Sequence, residues 1–220
     1  MSEAVDAFDK VAFSYDAWYE TEKGRQVLSS ERRIVAGFLP NDGIGLEIGA
    51  GTGVFAEALT NSRRSVVCLD LSHKMLARAA GRGLPCVLGS AEAMPLRSRT
   101  LGFAYMVTVI EFLEDPVVSL KEASRVTFRN APIVTLFINR ESDWGELYIA
   151  IAEKGDPIFS HAHLYTLDEV EEIARRAGLK LGRALGTLTE SPTSSEAGDK
   201  LIEPSRETGV IAVKLAKSFA

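Results

Sequence analysis

From Leu46 to Leu59 the chain reads LEIGAGTGVFAEAL, a short apolar run followed by Gly49, Gly51 and Gly53 at alternate positions and then a helix-forming stretch. Three glycines this close allow backbone dihedrals, and a close approach by a ligand, that a Cβ forbids. A large, flat ligand is therefore expected to lie over the turn. Asp70 ends the next apolar run, SVVCLD, seventeen residues beyond Gly53. In an open α/β sheet this sets its carboxylate at the carboxyl end of the adjacent strand, where it can accept two hydrogen bonds from a ribose diol. Its neighbours are apolar, and an unpaired buried carboxylate is costly, so Asp70 is the acid least easily explained as structure. The spacing is that of a nucleoside site, although a glycine triplet alone can also be a tight turn with no ligand.

These residues need strands and helices to hold them. Ala4 to Leu39 carries Val5, Phe8, Val11, Ala12, Tyr15, Trp18 and Tyr19, then Val27, Ile34, Val35 and Phe38, at helical spacing. After the turn residues Pro40 to Gly43, strands are expected at Ile44–Ile48, Ser65–Leu69, Pro85–Leu88, Thr100–Val109 and Pro132–Ile138. Helices fall between them at Val54–Leu59, at Ser72–Ala80 with Ser72 as N-cap, and at Val117–Val126. Strand and helix taking turns implies a parallel sheet covered on both faces. Asn139 to Tyr165 reads as an irregular segment that mixes charge with Trp144, Tyr148, Phe159, His161 and His163, and loops that long are usually functional or mobile. Thr166 and Glu169 form a T-x-x-E capping box opening a last helix that Gly178 closes. Leu179–Leu188 and Gly209–Leu215 read as two final strands, joined by a polar loop whose composition permits disorder.

At 220 residues the chain suits one domain, with a helical cap (1–40), a ligand-binding core (44–138), a substrate-side loop region (139–165) and a closing helix and strands (166–220). The net charge of −5 offers a phosphate backbone no general attraction, so nucleic acid is disfavoured as a partner. No apolar stretch has the length of a membrane span, and the N-terminus is acidic where a signal peptide would be basic; a cytoplasmic protein is expected. Cys68 and Cys86 stand in apolar runs without metal-ligand spacing, and no metal site is expected.

Four runs occurring in order, EIGAGTG (47–53), LDLSHKML (69–76), GSAEAMPL (89–96) and TVIEFLEDP (108–116), resemble the class I S-adenosylmethionine-dependent methyltransferases. The likeness is to the small-molecule branch that includes the ubiquinone and menaquinone enzymes. The fold this implies agrees with the periodicity: an α/β, Rossmann-like, doubly wound, mostly parallel seven-stranded sheet with helices on both faces and an N-terminal helical lid. The cofactor implied is S-adenosylmethionine, with S-adenosylhomocysteine as product. Gly49, Ala50, Gly51 and Gly53 would pass beneath its methionine and ribose, and Glu47 would reach its amino-acid end directly or through water. Asp70 would hold the ribose hydroxyls and Leu71 would pack on the adenine with Met75 nearby. Ala91 and Glu92 would lie along the adenine edge, and Thr108, Val109 and Glu111 would line the floor shared with the acceptor. Leu71, Met75 and Val109 could instead be core packing, and Glu92 a solvated charge.

Two other functions fit parts of the pattern. A nicotinamide-dependent oxidoreductase also places an acid roughly 20 residues past its glycines, but its third small residue would fall at Val54 rather than Gly53. A non-catalytic module that binds S-adenosylmethionine is the other. Methyl transfer from a sulfonium is a direct displacement, so alignment in a dry pocket matters most and a base only where the acceptor must lose a proton. His161, Glu111 and Tyr15 are the candidates for that base. Tyr15, Trp18 and Tyr19 on the aromatic N-terminal face, together with Trp144, are the candidates for contact with a small-molecule acceptor, unless that face is a core stripe. The run TVIEFLEDP stands where methyltransferases acting on DNA amino groups carry an Asp/Asn-Pro-Pro-aromatic motif, which again speaks against nucleic acid.

Overall fold

The computed structural model describes residues 3–195 and 200–217. Seven strands form one sheet: β1 (Gly43–Ile48), β2 (Arg64–Asp70), β3 (Cys86–Leu88), β4 (Phe103–Val107), β5 (Ile133–Ile138), β6 (Leu179–Thr187) and β7 (Val210–Lys217), in spatial order β3-β2-β1-β4-β5-β7-β6. β1 to β5 pair in parallel, and β7 enters antiparallel between β5 and β6. The order reverses at β1, so the β1 and β4 carboxyl ends diverge and leave the crevice in which ligands of such sheets bind.

The central strands β4 and β5 are buried on both faces, as their sequences require, while the edge strands β3 and β6 are partly exposed. In β4, Phe103, Tyr105 and Val107 enter one core while Ala104 and Met106 enter the other. Helices α2 (Glu22–Ala36), α3 (Val54–Leu59) and α4 (His73–Gly81) cover the first face; α5 (Pro116–Val126) and α7 (Leu167–Arg176) cover the second. Local sequence fixes the helix starts. Ser72 accepts from the Met75 amide, Asp115 from Val118 ahead of Pro116, and Thr166 and Glu169 complete their capping box.

The N-terminal segment is helical in three pieces, α1 (Glu3–Val11), a 3₁₀ turn (Tyr15–Trp18) and α2. Thr21 is the reason, since its side chain accepts from the Gly24 amide at 3.0 Å and starts a new helix. Gly24 permits the turn to fold back, because a Cβ there would lie 2.0 Å from the Trp18 carbonyl oxygen. The supposedly irregular stretch 139–165 contains the eleven-residue helix α6 (Asp143–Glu153), capped by Ser142, whose side chain accepts from Gly145. Its apolar residues run round the helix, burying Trp144 while Leu147 and Ile149 face solvent, and this blurs the one-sided period. Part of the polar connection between β6 and β7, residues 196–199, lies outside the described residues.

Replacing Gly24 with alanine should therefore displace the 3₁₀ turn, at a cost of roughly 1–3 kcal/mol. Hydrogen exchange read by mass spectrometry should show residues 3–21 losing protection while β1, β4 and β5 keep theirs; unchanged protection throughout would contradict the packing described.

Candidate functional site

Gly49, Gly51 and Gly53 all adopt left-handed dihedrals, with φ of 66°, 54° and 78°. Their surroundings differ. A Cβ on Gly49 would lie 2.5 Å from a Val109 methyl, and one on Gly53 would lie 2.6 Å from Leu84 and 3.0 Å from Ala79. At Gly51 a Cβ would meet no protein atom within 4 Å, because it would point into a groove. Two glycines are thus required by packing, and the third leaves backbone bare toward a ligand.

Asp70 holds this loop in place. Its Oδ2 accepts from the Gly51 amide at 2.8 Å and its Oδ1 from the Ser72 amide at 2.8 Å. Burial raises its pKa above the usual carboxylate value, although the amides of Ser72 and Gly51 oppose the shift. Each oxygen keeps a second lone pair for a hydroxyl donor. Asp70 lines a groove of about 220 Å³ together with Leu71, Met75, Ala91, Glu92, Thr108 and Val109. Leu71 is 46% exposed on that wall, whereas Met75 is fully buried behind it. The Glu92 amide donates to the Ser90 hydroxyl, which in turn donates to the Glu92 carboxylate. These residues, with Gly49 and Gly51, give the groove a bare backbone floor, an apolar face and a carboxylate with acceptor capacity to spare.

Ala50 and Glu47 stand apart from this lining. The Ala50 amide donates to the Leu69 carbonyl at 2.9 Å, its carbonyl accepts from Gly53 at 2.9 Å, and its side chain packs in the core. Glu47, only 2% exposed, accepts from the Tyr105 hydroxyl at 3.1 Å behind the loop, and burial pushes its pKa up to about 8.

The groove has a roof. Phe8 in α1 and Tyr15 in the 3₁₀ turn line it, and Phe8 meets Phe112 edge-on with ring centroids 5.2 Å apart. Asp16 fastens this segment to the glycine loop: Oδ1 accepts from the Thr52 hydroxyl at 2.6 Å, and Oδ2 meets Arg78 at 3.0 Å and Arg82 at 2.8 Å. Burial opposes its ionisation, but that hydroxyl and the two guanidiniums hold its pKa below the ordinary value. Asp9 makes a second tie, to the hydroxyl of Ser72.

Phe8, Tyr15, Thr108 and Phe112 also wall a second chamber of about 340 Å³. Its other walls include Trp18, Tyr19, Glu31, Trp144, Tyr148 and Phe159. Thr108, at the partition, has φ of 49°, a strained conformation for a β-branched residue and of the kind that gathers at functional sites. All four aromatic residues expected near an acceptor, Tyr15, Trp18, Tyr19 and Trp144, are brought together here.

The three candidate bases are not equivalent. Burial raises the Tyr15 pKa to about 12, which suits a hydrogen-bond donor. Glu111 lies just behind the chamber wall; Oε1 accepts from the Ile138 amide at 2.8 Å, Oε2 has no hydrogen-bond partner, and burial pushes its pKa to about 7. His161 ends a 3₁₀ turn (Phe159–His161), half-buried, and lines neither the groove nor the chamber. Sequence reasoning missed Glu31, which lines the chamber at 6% exposure with a pKa pushed to about 8 by burial and then by Glu111. The signal was present, because Glu31 falls within the apolar stripe Val27, Ile34, Val35 and Phe38 of α2.

Comparison with known proteins decides the family. A methyltransferase-domain model matches residues 46–134. The crystal structure of an S-adenosylmethionine-dependent methyltransferase from Thermotoga maritima, a possible histamine N-methyltransferase, superposes with a TM-score of 0.88 at 30% identity, covering 98% of this chain and 100% of that one. The chain belongs to the class I S-adenosylmethionine-dependent methyltransferases. This methyltransferase is also 32% identical over 193 residues to an uncharacterized protein of Mycobacterium tuberculosis, and 30% identical over 184 residues to one of Methanocaldococcus jannaschii. Those matches cover 86% and 84% of this chain, but 65% of the mycobacterial protein's length and 86% of the archaeal one's. The family's cofactor is S-adenosylmethionine rather than a nicotinamide, and the groove over the glycine turn fits it.

Two outcomes follow from this geometry. Gly51→Ala should leave the fold intact apart from the roughly 1–2 kcal/mol cost of a left-handed alanine, yet weaken S-adenosylhomocysteine binding in titration calorimetry, whereas Gly53→Ala should chiefly lower the melting temperature. Glu31, Glu47 and Glu111 titrate near 4.5 when unfolded and at about 8, 8 and 7 when folded, so the folded state keeps protons that the unfolded state releases. Stability should fall as pH rises from about 4.5 toward 8, and Glu47→Gln should flatten that slope in pH-dependent thermal melts.

Proposed function

We propose that this chain transfers a methyl group from S-adenosylmethionine, bound in the groove over Gly49–Gly53, to a small-molecule acceptor in the adjoining aromatic chamber. The observation carrying this reading is the partition: Phe8, Tyr15, Thr108 and Phe112 line both spaces, so groups bound in the two meet across it. The cofactor supplies an electrophilic methyl on a sulfonium; the chain supplies alignment and exclusion of water. Asp70 holds the ribose, Leu71, Met75, Ala91 and Glu92 surround the adenine, Thr108 and Val109 form the floor, and Glu47 supports the loop from behind. Tyr15, Trp18, Tyr19 and Trp144 contact the acceptor. Tyr15 donates a hydrogen bond, and Glu111, with His161 as the more distant candidate, receives any proton the acceptor releases.

A chamber of about 340 Å³ suits a small organic molecule. The net charge of −5, and the acidic character of every charged residue lining either space, speak against a nucleic-acid acceptor. No described helix is long and apolar enough to cross a membrane. A single-domain enzyme acting in the cytoplasm is consistent with these features.

Titration calorimetry with S-adenosylmethionine, S-adenosylhomocysteine and NADH tests the reading: the first two should bind and the last should not. Asp70→Ala should weaken both adenosyl ligands by at least about tenfold, the value of one lost charge-assisted hydrogen bond. Unchanged affinity in a folded variant would overturn the assignment of the ribose contact.

A further inference from the structure

Glu31 is a buried acid of the chamber wall to which the site as described gives no role. It lies on α2, buried, with its carboxylate lining the chamber, and no hydrogen bond or cation reaches it among the described residues. The phenols of Tyr15, Tyr19 and Tyr148 line the same chamber, and the carboxyl of Glu111 lies within electrostatic reach. Asp156, the other charged residue on the wall, is committed to the Ile158 and Phe159 amides at 2.9 Å each. Among the described residues, no Lys, Arg or His lines this space. A buried carboxylate without a partner is unfavourable, and the aromatic faces around it attract positive charge.

We propose that the methyl acceptor is a cationic amine, seated among the chamber's aromatic rings with its ammonium on the Glu31 carboxylate. This rests on the methyl-transfer reading above and deepens it. A carboxylate or phenolate acceptor would enter a space walled by acids with no cation to receive it. A neutral thiol or alcohol would leave Glu31 as its protonated acid, with no ion pair to gain. Burial pushes the Glu31 pKa to about 8, so in the free protein at neutral pH it holds a proton that an arriving ammonium displaces. For reaction, the bound ammonium returns one proton to Glu31, which lines the chamber where Glu111 does not and so takes over the proton-acceptor role assigned above to Glu111. The freed lone pair forms the nitrogen–carbon bond as the methyl–sulfur bond breaks, its electron pair staying on sulfur, and the product leaves as the N-methylated ammonium. Glu111, coupled to Glu31 through space, keeps the pair from carrying two charges at once.

The test uses titration calorimetry on the full chain saturated with S-adenosylhomocysteine, with phenethylamine, 3-phenylpropionate and 3-phenylpropanol as probes of similar size. Phenethylamine should bind at least about tenfold more tightly than the acid or the alcohol, and Glu31→Gln should remove that preference. Buffers of differing ionisation enthalpy should reveal proton release on amine binding at pH 7 in the parent protein and none in the variant. Retained S-adenosylhomocysteine affinity certifies that the variant is folded; should it be lost, Glu31→Asp, which keeps the charge, must retain the amine preference. An amine that fails to bind at about 10 mM, or binds no better than the acid or alcohol, overturns the proposal, as does an unaltered preference in Glu31→Gln. Absence of S-adenosylhomocysteine binding alongside Glu31-dependent amine binding would instead remove the methyl-transfer reading and leave the cation site standing.

Discussion

The site depends on one carboxylate at the end of β2. Asp70 reaches across to β1's loop and takes the Gly51 amide on one oxygen while the other takes Ser72, so a single side chain positions both the glycine turn and the start of α4. That economy has a physical basis. Left-handed glycines are entropically expensive to order, and a loop containing three of them needs an anchor that does not compete with the ligand's approach. An acceptor-only group buried at the side of the turn meets that need. Its spare lone pairs remain on the groove side, so the residue that anchors the loop is also the one the proposed ribose contact uses.

The second constraint is the fastening of the N-terminal segment. Asp16 joins the 3₁₀ turn to Thr52 of the glycine loop and to Arg78 and Arg82 at α4, and Asp9 joins α1 to the cap of α4. Roof and floor are therefore tied to the same loop and helix. Beside the packing of Ala7, Ala12 and Tyr19, the connection runs through partly buried ion pairs of Asp16, which desolvation makes weak contributors to stability but specific in geometry. A segment held in this way can be ordered by the site without being part of the sheet's core, as the separate helix α1 and the break at Ser14 to Thr21 indicate.

The sequence made the sheet legible because its strands are buried on both faces, so that β1, β2 and β5 read as continuous apolar runs and the glycines and Asp70 stand out at their ends. The groove was legible for the same reason, since its residues follow strands. The chamber was not. Its walls come from the N-terminal turn, α2, α6 and the 159–161 turn, and no local period records which of those segments face one another. α6 escaped notice because apolar residues surround it, and Glu31 because a lone acid in an apolar stripe looks like noise until its neighbours are known. Trp144 and Tyr148, four residues apart, were visible as aromatics; only the helix between them explains why both reach one wall.

Charge is what unites the two spaces. The charged residues lining the groove are Asp70, Glu92 and Glu114, and those lining the chamber are Glu31 and Asp156, all acidic. In the transfer proposed above, a unit of positive charge moves from sulfur, on the groove side of Thr108, to nitrogen on the chamber side. In a medium of low polarity, acids fixed beforehand where that charge arrives favour the transition state over the ground state and need no reorganisation during the step. Acids on the groove side act on the charge before it moves and acids on the chamber side after, so the relative strength of the two sets decides whether the wall assists or retards the transfer. The chamber's advantage lies in desolvation. Glu31 is almost wholly buried and has no competing partner, whereas Asp70 already shares its charge with two amides. On the proposed route Glu31 already holds the amine's proton when the methyl moves, so its part on the receiving side is to have freed the lone pair and to stand as counter-charge to the ammonium that results.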